Sequence, residues 1–146
     1  MSTPIRTQVL DLLEAKIGEV IANTERHPSI PVDRTHKSGT ICFLFDSDDR
    51  KERRNRIVDC TFTLQVEVWI ENRDGMKAIS DAADLLEAQI ERKLMPSTAL
   101  KPLVKNIDYA ETTSSKFYAD NTIGGIVIYY DVTYSHAYGN PYEQLT

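Results

Sequence analysis

The sequence predicts an α+β fold: a mostly antiparallel mixed sheet with two helices packed on one face, plus a long charged hairpin loop. Three observations predict it. Apolar residues recur at helical spacing in two stretches, 4–22 and 75–94. They alternate with period two in two others, 57–71 and 123–136. Between the first helix and the first long strand lies 46–56, DSDDRKERRNR, in which nine of eleven residues are charged, so no core can use it.

In the first helix, Ile5, Val9, Leu12, Leu13, Ile17, Val20 and Ile21 form the buried stripe. Thr3 is the expected N-cap and Pro4 the first helical residue, where a missing N–H costs nothing. Gly18 weakens the helix, and the His27-Pro28 pair requires it to stop near Asn23. Residues 28–34 (PSIPVDR) carry two prolines and read as an edge strand or bridging loop. After the Ser38-Gly39 turn, 41–45 (ICFLF) is apolar throughout. It reads as a strand buried on both faces, or one whose second face meets a partner. The 46–56 stretch reads as a long, solvated, mobile hairpin tip.

Segment 57–71 puts Val58, Cys60, Phe62, Leu64, Val66, Val68 and Ile70 on one face, and Thr61, Thr63, Gln65, Glu67 and Trp69 on the other. At ~3.3 Å per residue it spans about 45 Å, long enough to project beyond the body. Asn72 or Asp74 caps the second helix, with Ile79, Ala83, Leu86, Ile90 and Leu94 buried and Pro96 as its stop. Residues 103–110 read as a short strand, 111–122 as a polar turn region and 123–136 as the last strand. Gly124-Gly125 permits a bulge or the close approach of another chain. The tail, 139–146, reads as loose.

At 146 residues the chain is expected to be one domain, 1–146. With 41% hydrophobic and 27% charged residues, it is neither disordered nor fibrous. A net charge of −5 argues against a protein that coats nucleic acid. The longest apolar runs are five residues against the ~20 of a membrane span, and MSTPIRTQ lacks the apolar core of a signal peptide. Cys42 and Cys60 read as small buried residues of a reducing compartment, with neither a disulfide framework nor CxxC spacing.

Catalytic patterns are missing from the sequence. His27, His36 and His136 fall in loops or at a strand end, outside any metal or triad motif. Asp46, Ser47, Asp48 and Asp49 resemble the opening of an EF-hand loop, but Lys51 and Ile57 stand where its Gly and Glu belong. Two readings remain there, a solvated turn and a loose Mg²⁺ site between subunits that would make assembly weakly Mg²⁺-dependent. No cofactor is expected. Arg50, Lys51, Arg53, Arg54 and Arg56 sit beside four acids without interleaved aromatics. That suits pairing with another protein better than specific nucleic-acid recognition. If both helices cover one face, the other carries Trp69, Val127, Tyr129, Thr61 and Thr63, a rather apolar surface that a second copy would bury. The expected subunit or partner interface is therefore Trp69, Val127 and Tyr129, with Asp48, Asp49, Arg50, Arg53 and Arg54 from the charged segment.

The layout resembles the minor tail protein U / tail terminator family of long-tailed bacteriophages. The residues that carry the likeness lie between 4 and 136. They are the helix opening at Ile5-Arg6, the proline-flanked Pro28-Ser29-Ile30-Pro31-Val32, and a charged loop before Leu64-Gln65-Val66-Glu67-Val68-Trp69. The helix with Ala83-Asp84-Leu85-Leu86-Glu87 and Ile90-Glu91 follows, then a Gly-initiated strand ending in Tyr130-Asp131-Val132-Thr133-Tyr134. The resemblance implies a virion structural protein, not an enzyme, present in the host cytoplasm during assembly. It implies a hexameric ring of self-copies that caps the head-proximal end of the tail tube and stops its polymerisation. The implied partners are the tail tube protein and a head-completion protein. It carries no catalytic residues over. Two alternatives are a head-completion or neck connector protein, and a small ligand-binding or enzymatic domain built on His136, Asp131 and Glu67.

Overall fold

The computed structural model describes residues 3–27, 39–95, 100 and 102–144. The chain runs through α1 (Ile5–Gly18), β1 (Thr24–Arg26), β2 (Ile41–Asp46), β3 (Arg50–Arg54), β4 (Ile57–Glu71), α2 (Met76–Leu94), β5 (Asn106–Tyr109), β6 (Ser115–Tyr118) and β7 (Ile123–Ala137). The fold is α+β, with two helices and a seven-stranded mixed sheet among the described residues. β4 and β7, fifteen residues each, pair antiparallel from Ile57–Ala137 to Glu71–Ile123 and form the centre of the sheet. Each has its outer edge covered by two short strands in tandem. β2 and β3 lie along β4, and β5 and β6 along β7, all antiparallel. β1 adds to β2 as the one parallel pair among the described strands.

Both helices lie on one face. Val9, Leu13 and Ile17 of α1 and Ile79, Ala83, Ile90 and Leu94 of α2 pack on Phe62, Leu64, Val66 and Val68 of β4 and on Ile126, Ile128, Tyr130 and Val132 of β7. Burial along β4 alternates strictly to its ends, so β4 does not project from the body as its length suggested. Ile41 to Leu44 of β2 are all buried in the single chain, so both faces there are covered without a partner. Cys42 and Cys60 are buried free thiols. Burial pushes the Cys42 thiol up to about 12, which keeps it protonated and unreactive near neutral pH.

Several boundaries differ from the expectation. α1 ends at Gly18 rather than near Asn23, where the poor helix propensity of glycine gives way to a turn closed by Ile21 N–H on the Ile17 carbonyl. Its N-cap is Pro4, and the Thr3 hydroxyl makes no capping bond. α2 is capped by Gly75 at φ +100°, while Asn72 closes a turn one step earlier by accepting from Asp74 N–H. The 111–122 region holds a strand, β6, and 46–56 holds β3 in place of a mobile loop. Residues 139–144, expected to be loose, fold back. Pro141 accepts from Ile5 N–H, Glu143 from Ala137 N–H, and the Gln144 amide donates to Pro102. The 28–34 segment, His36 and Pro96 lie outside the described residues.

Candidate functional site

The face of the sheet away from the helices is a ladder of polar pairs. Thr61 and Thr133 meet through their hydroxyls at 3.0 Å, Thr63 donates to Asp131 at 2.8 Å, and Ser135 donates to Asp59 at 2.6 Å. Arg54 and Lys105 reach the same Asp59 carboxylate at 3.2 and 3.1 Å. The Ser135 hydroxyl first, then these two cations, hold Asp59 down at about 2, well below the usual carboxylate range. The centre of this face is therefore hydrophilic, and its apolar part is confined to one end. There Trp69 packs edge-on to Phe117 with centroids 4.9 Å apart and donates its indole N–H to Glu67 at 2.9 Å. Phe117 lies above Gly125, where an added Cβ would collide with the Val68 carbonyl and come within 2.9 Å of the Phe117 ring. The close approach that Gly124-Gly125 permits is that of the chain's own β6. Trp69, Val127 and Tyr129 are all half-buried on this face.

The charged segment is shaped by one residue that its sequence neighbourhood does not reveal. Arg6, on the first turn of α1, reaches across to the 47–49 link between β2 and β3. Its guanidinium donates to Asp49, to Asp46 at 2.5 Å and to the Ser47 carbonyl at 2.7 Å, and it lies 4.7 Å from the centroid of Phe62. The Tyr134 hydroxyl donates to Asp49 at 2.5 Å, and His27 bonds Asp46 at 2.6 Å. Burial works against the Arg6 charge, but Asp49 and Asp46 more than offset it and raise its pKa. Burial and the bond to Asp49 raise that of Tyr134. Asp46 and Asp49 thus already hold a cation. No three acidic, histidine or cysteine side chains gather into a metal site among the described residues.

β3 follows this clamp and presents Arg50, Lys51, Glu52, Arg53 and Arg54, all exposed. It turns into β4 through Asn55, whose φ of +60° suits asparagine. Arg50 approaches Asp131 at 3.9 Å, and Arg53 stacks on Tyr138 with its guanidinium 3.7 Å from the ring centroid. The register puts Arg50 and Arg54 on the polar face, and Lys51 and Arg53 on the helix side. The structure brings Asp49 into the clamp and Arg50, Arg53 and Arg54 into one exposed strand. Trp69, Val127 and Tyr129 stand nearer the other end of β4 and β7, so the eight expected interface residues form two separate patches.

The polar groups of the ligand-binding alternative do not converge. Asp131 and Glu67 lie on the polar face. His136 lies on the other, buried, with Nδ1 2.7 Å from the Ala137 carbonyl. Sequence reading missed Arg6, Tyr134 and a cleft beneath the 110–114 link, lined by Glu87 and Glu91 of α2 with Tyr109 and Tyr130. The i, i+4 spacing of the two glutamates was the available signal for that cleft. Among the described residues no helix is long and apolar enough to cross a membrane. The sequence matches no protein-family model and no curated protein.

Proposed function

We propose that this chain is a ring-forming structural protein of a long-tailed bacteriophage virion. It caps the head-proximal end of the tail tube, stops tube polymerisation and offers the surface to which the head is joined. Its partners are further copies of itself, the tail tube protein and a head-completion protein. What supports the reading is the sheet: helices cover one face only, and its two long edges are unlike. One edge carries the basic strand β3, and the other is flanked by the acidic side of α2. A subunit with unlike edges is suited to heterologous contacts, the kind that close into rings. The element order fits the tail terminator resemblance, and its family chemistry is assembly rather than catalysis.

Light scattering on a sizing column, over a range of protein and Mg²⁺ concentrations, tests the ring. Six copies of a 16.6 kDa chain give a species of about 100 kDa. Added to the growing tail tube protein of its own phage, the ring should arrest lengthening. A strict monomer that leaves tube growth unchanged would overturn the proposal. A ring that leaves tube growth unchanged but binds the head-completion protein would move the chain to the neck.

A further inference from the structure

The cleft at the β5–β6 joint has a volume of about 290 Å³ and lies between α2 and β7. Glu87 and Glu91 stand four residues apart on α2 and line it together with Tyr109 and Tyr130. The Tyr130 side chain is 1% exposed, and its hydroxyl has no hydrogen-bond partner among the described residues. A buried, unpaired hydroxyl costs about 1–3 kcal/mol and calls for an occupant that can bond it. Two carboxylates lining a cleft with two tyrosines favour a cation that donates hydrogen bonds, an ammonium or guanidinium. Two carboxylates are few for a divalent ion, which takes six or more oxygens. The nearby Lys116 is engaged by Asp84 and Ser80 on α2 and also feels the Glu87 charge, and Tyr109 bonds Glu91, so the cleft retains carboxylate acceptor capacity rather than two bare charges.

The opposite edge of the sheet supplies such cations. Lys51 and Arg53 of β3 are exposed and lie on the helix side, as Tyr109 and Tyr130 do; on docking, Arg53 would give up its stacking on Tyr138 of its own chain for the cleft. Within one chain the two edges are separated by β4 and β7, about 14 Å at ~4.8 Å per strand, so β3 and the cleft of one chain face away from each other. Between two copies placed edge to edge with the same face up, they meet. We propose that the cleft receives Lys51 and Arg53 of a second copy, so that β3 of each subunit docks on the α2–β5–β6 edge of the next. This rests on the ring reading and deepens it by naming the contact that closes the ring.

Two charge-reversal variants test it, Lys51→Glu/Arg53→Glu and Glu87→Lys/Glu91→Lys. Each alone should remain a folded 16.6 kDa monomer by light scattering and circular dichroism. An equimolar mixture should return to the wild-type mass, because each variant's strand then complements the other's cleft. Wild-type assembly by either variant alone overturns the inference and leaves the ring standing. A second measurement holds even if the wild type is monomeric. A fluorescent peptide of residues 49–56 should bind the wild-type chain, and at least tenfold more weakly the Glu87→Gln/Glu91→Gln/Tyr130→Phe variant. Peptide binding by a monomeric wild type supports the cleft while removing the ring. Absence of peptide binding, or binding of spermidine alone, overturns the docking of a second copy.

Discussion

Replacing Arg6 by Met keeps the aliphatic stem and removes the one guanidinium among the described residues that bonds both Asp46 and Asp49. The side chains of Arg6, Asp46 and Asp49 are 26%, 12% and 9% exposed, so the pairing lies between a surface bridge and a buried one. Exposed bridges contribute ~0–1 kcal/mol, whereas removing one partner of a buried pair costs ~3–5 kcal/mol because the other charge is stranded. With two carboxylates left behind and the contact to Phe62 lost, the expected cost is about 3 kcal/mol. For a domain of this size that lowers the melting temperature by ~6–12 °C. Urea melts at pH 7 measure the loss, and raising the salt should change it little, since the pair is largely out of water. Adding Asp46→Asn and Asp49→Asn should recover part of the loss by removing the stranded charges. Amide exchange across 46–56 should accelerate in Arg6→Met, because the clamp fixes the link that delivers β3 to β4. A loss below ~1 kcal/mol, or slow exchange retained at 50–54, would refute the clamp.

Gly125→Ala should cost ~2–3 kcal/mol in urea melts and shift the emission of the single tryptophan, Trp69, because its Cβ has no room against Val68 and Phe117. Wild-type stability would contradict that packing. Tyr134 is raised in the folded state, so its contribution is complete below the unfolded tyrosine pKa near 10 and is lost as pH rises beyond it. Tyr134→Phe should cost ~1.5–3 kcal/mol at pH 7 and flatten the alkaline decline, and an unchanged alkaline slope would refute this. Asp59 is lowered from 3.8 to about 2, so it stabilises above pH ~4 and the gain disappears as pH falls through 2. Asp59→Asn should cost ~1 kcal/mol at pH 7, after solvent screening, and only a small part of that at pH 2, where the carboxylate is half protonated; equal loss at both would assign the effect to packing.

The two helices and the two long strands were legible because each carries a period over many residues. Thirteen alternating positions from Ile57 to Trp69 leave one arrangement that buries the apolar set. β1, β3 and β6 were not legible, since each is only three to five residues long and none alternates apolar with polar residues. Their existence is decided by neighbours. β2 pairs with β4 only from Leu64 to Trp69, so the β4 edge from Ile57 to Thr61 still needs backbone partners, and Arg50–Arg54 supply them despite their charge. β6 exists for the same reason along Gly124 to Val127 of β7. The site was less legible than the fold because its contacts join residues far apart in sequence. Nothing near Arg6 announces that it binds residues 40 and 43 positions later.

The tandem edge strands also explain where polar side chains collect. A fifteen-residue strand flanked by two short ones leaves a joint on each side, 47–49 beside β4 and 110–114 beside β7. At each joint the ladder is interrupted and backbone and side-chain polar groups must find other partners. At the first, α1 delivers Arg6, which neutralises Asp46 and Asp49 and receives support from Tyr134 and Phe62. At the second, α2 delivers Glu87 and Glu91 beside Tyr109 and the unpartnered hydroxyl of Tyr130. The first joint is completed inside the chain by a guanidinium. The second has acceptors in the same layered setting, but the nearby cation, Lys116, bonds Asp84 and Ser80 and only feels the Glu87 charge, while Tyr109 bonds Glu91. A cation from β3 of a second copy, as proposed above, would complete it by the same chemistry, since β3 is where this sequence concentrates exposed Lys and Arg.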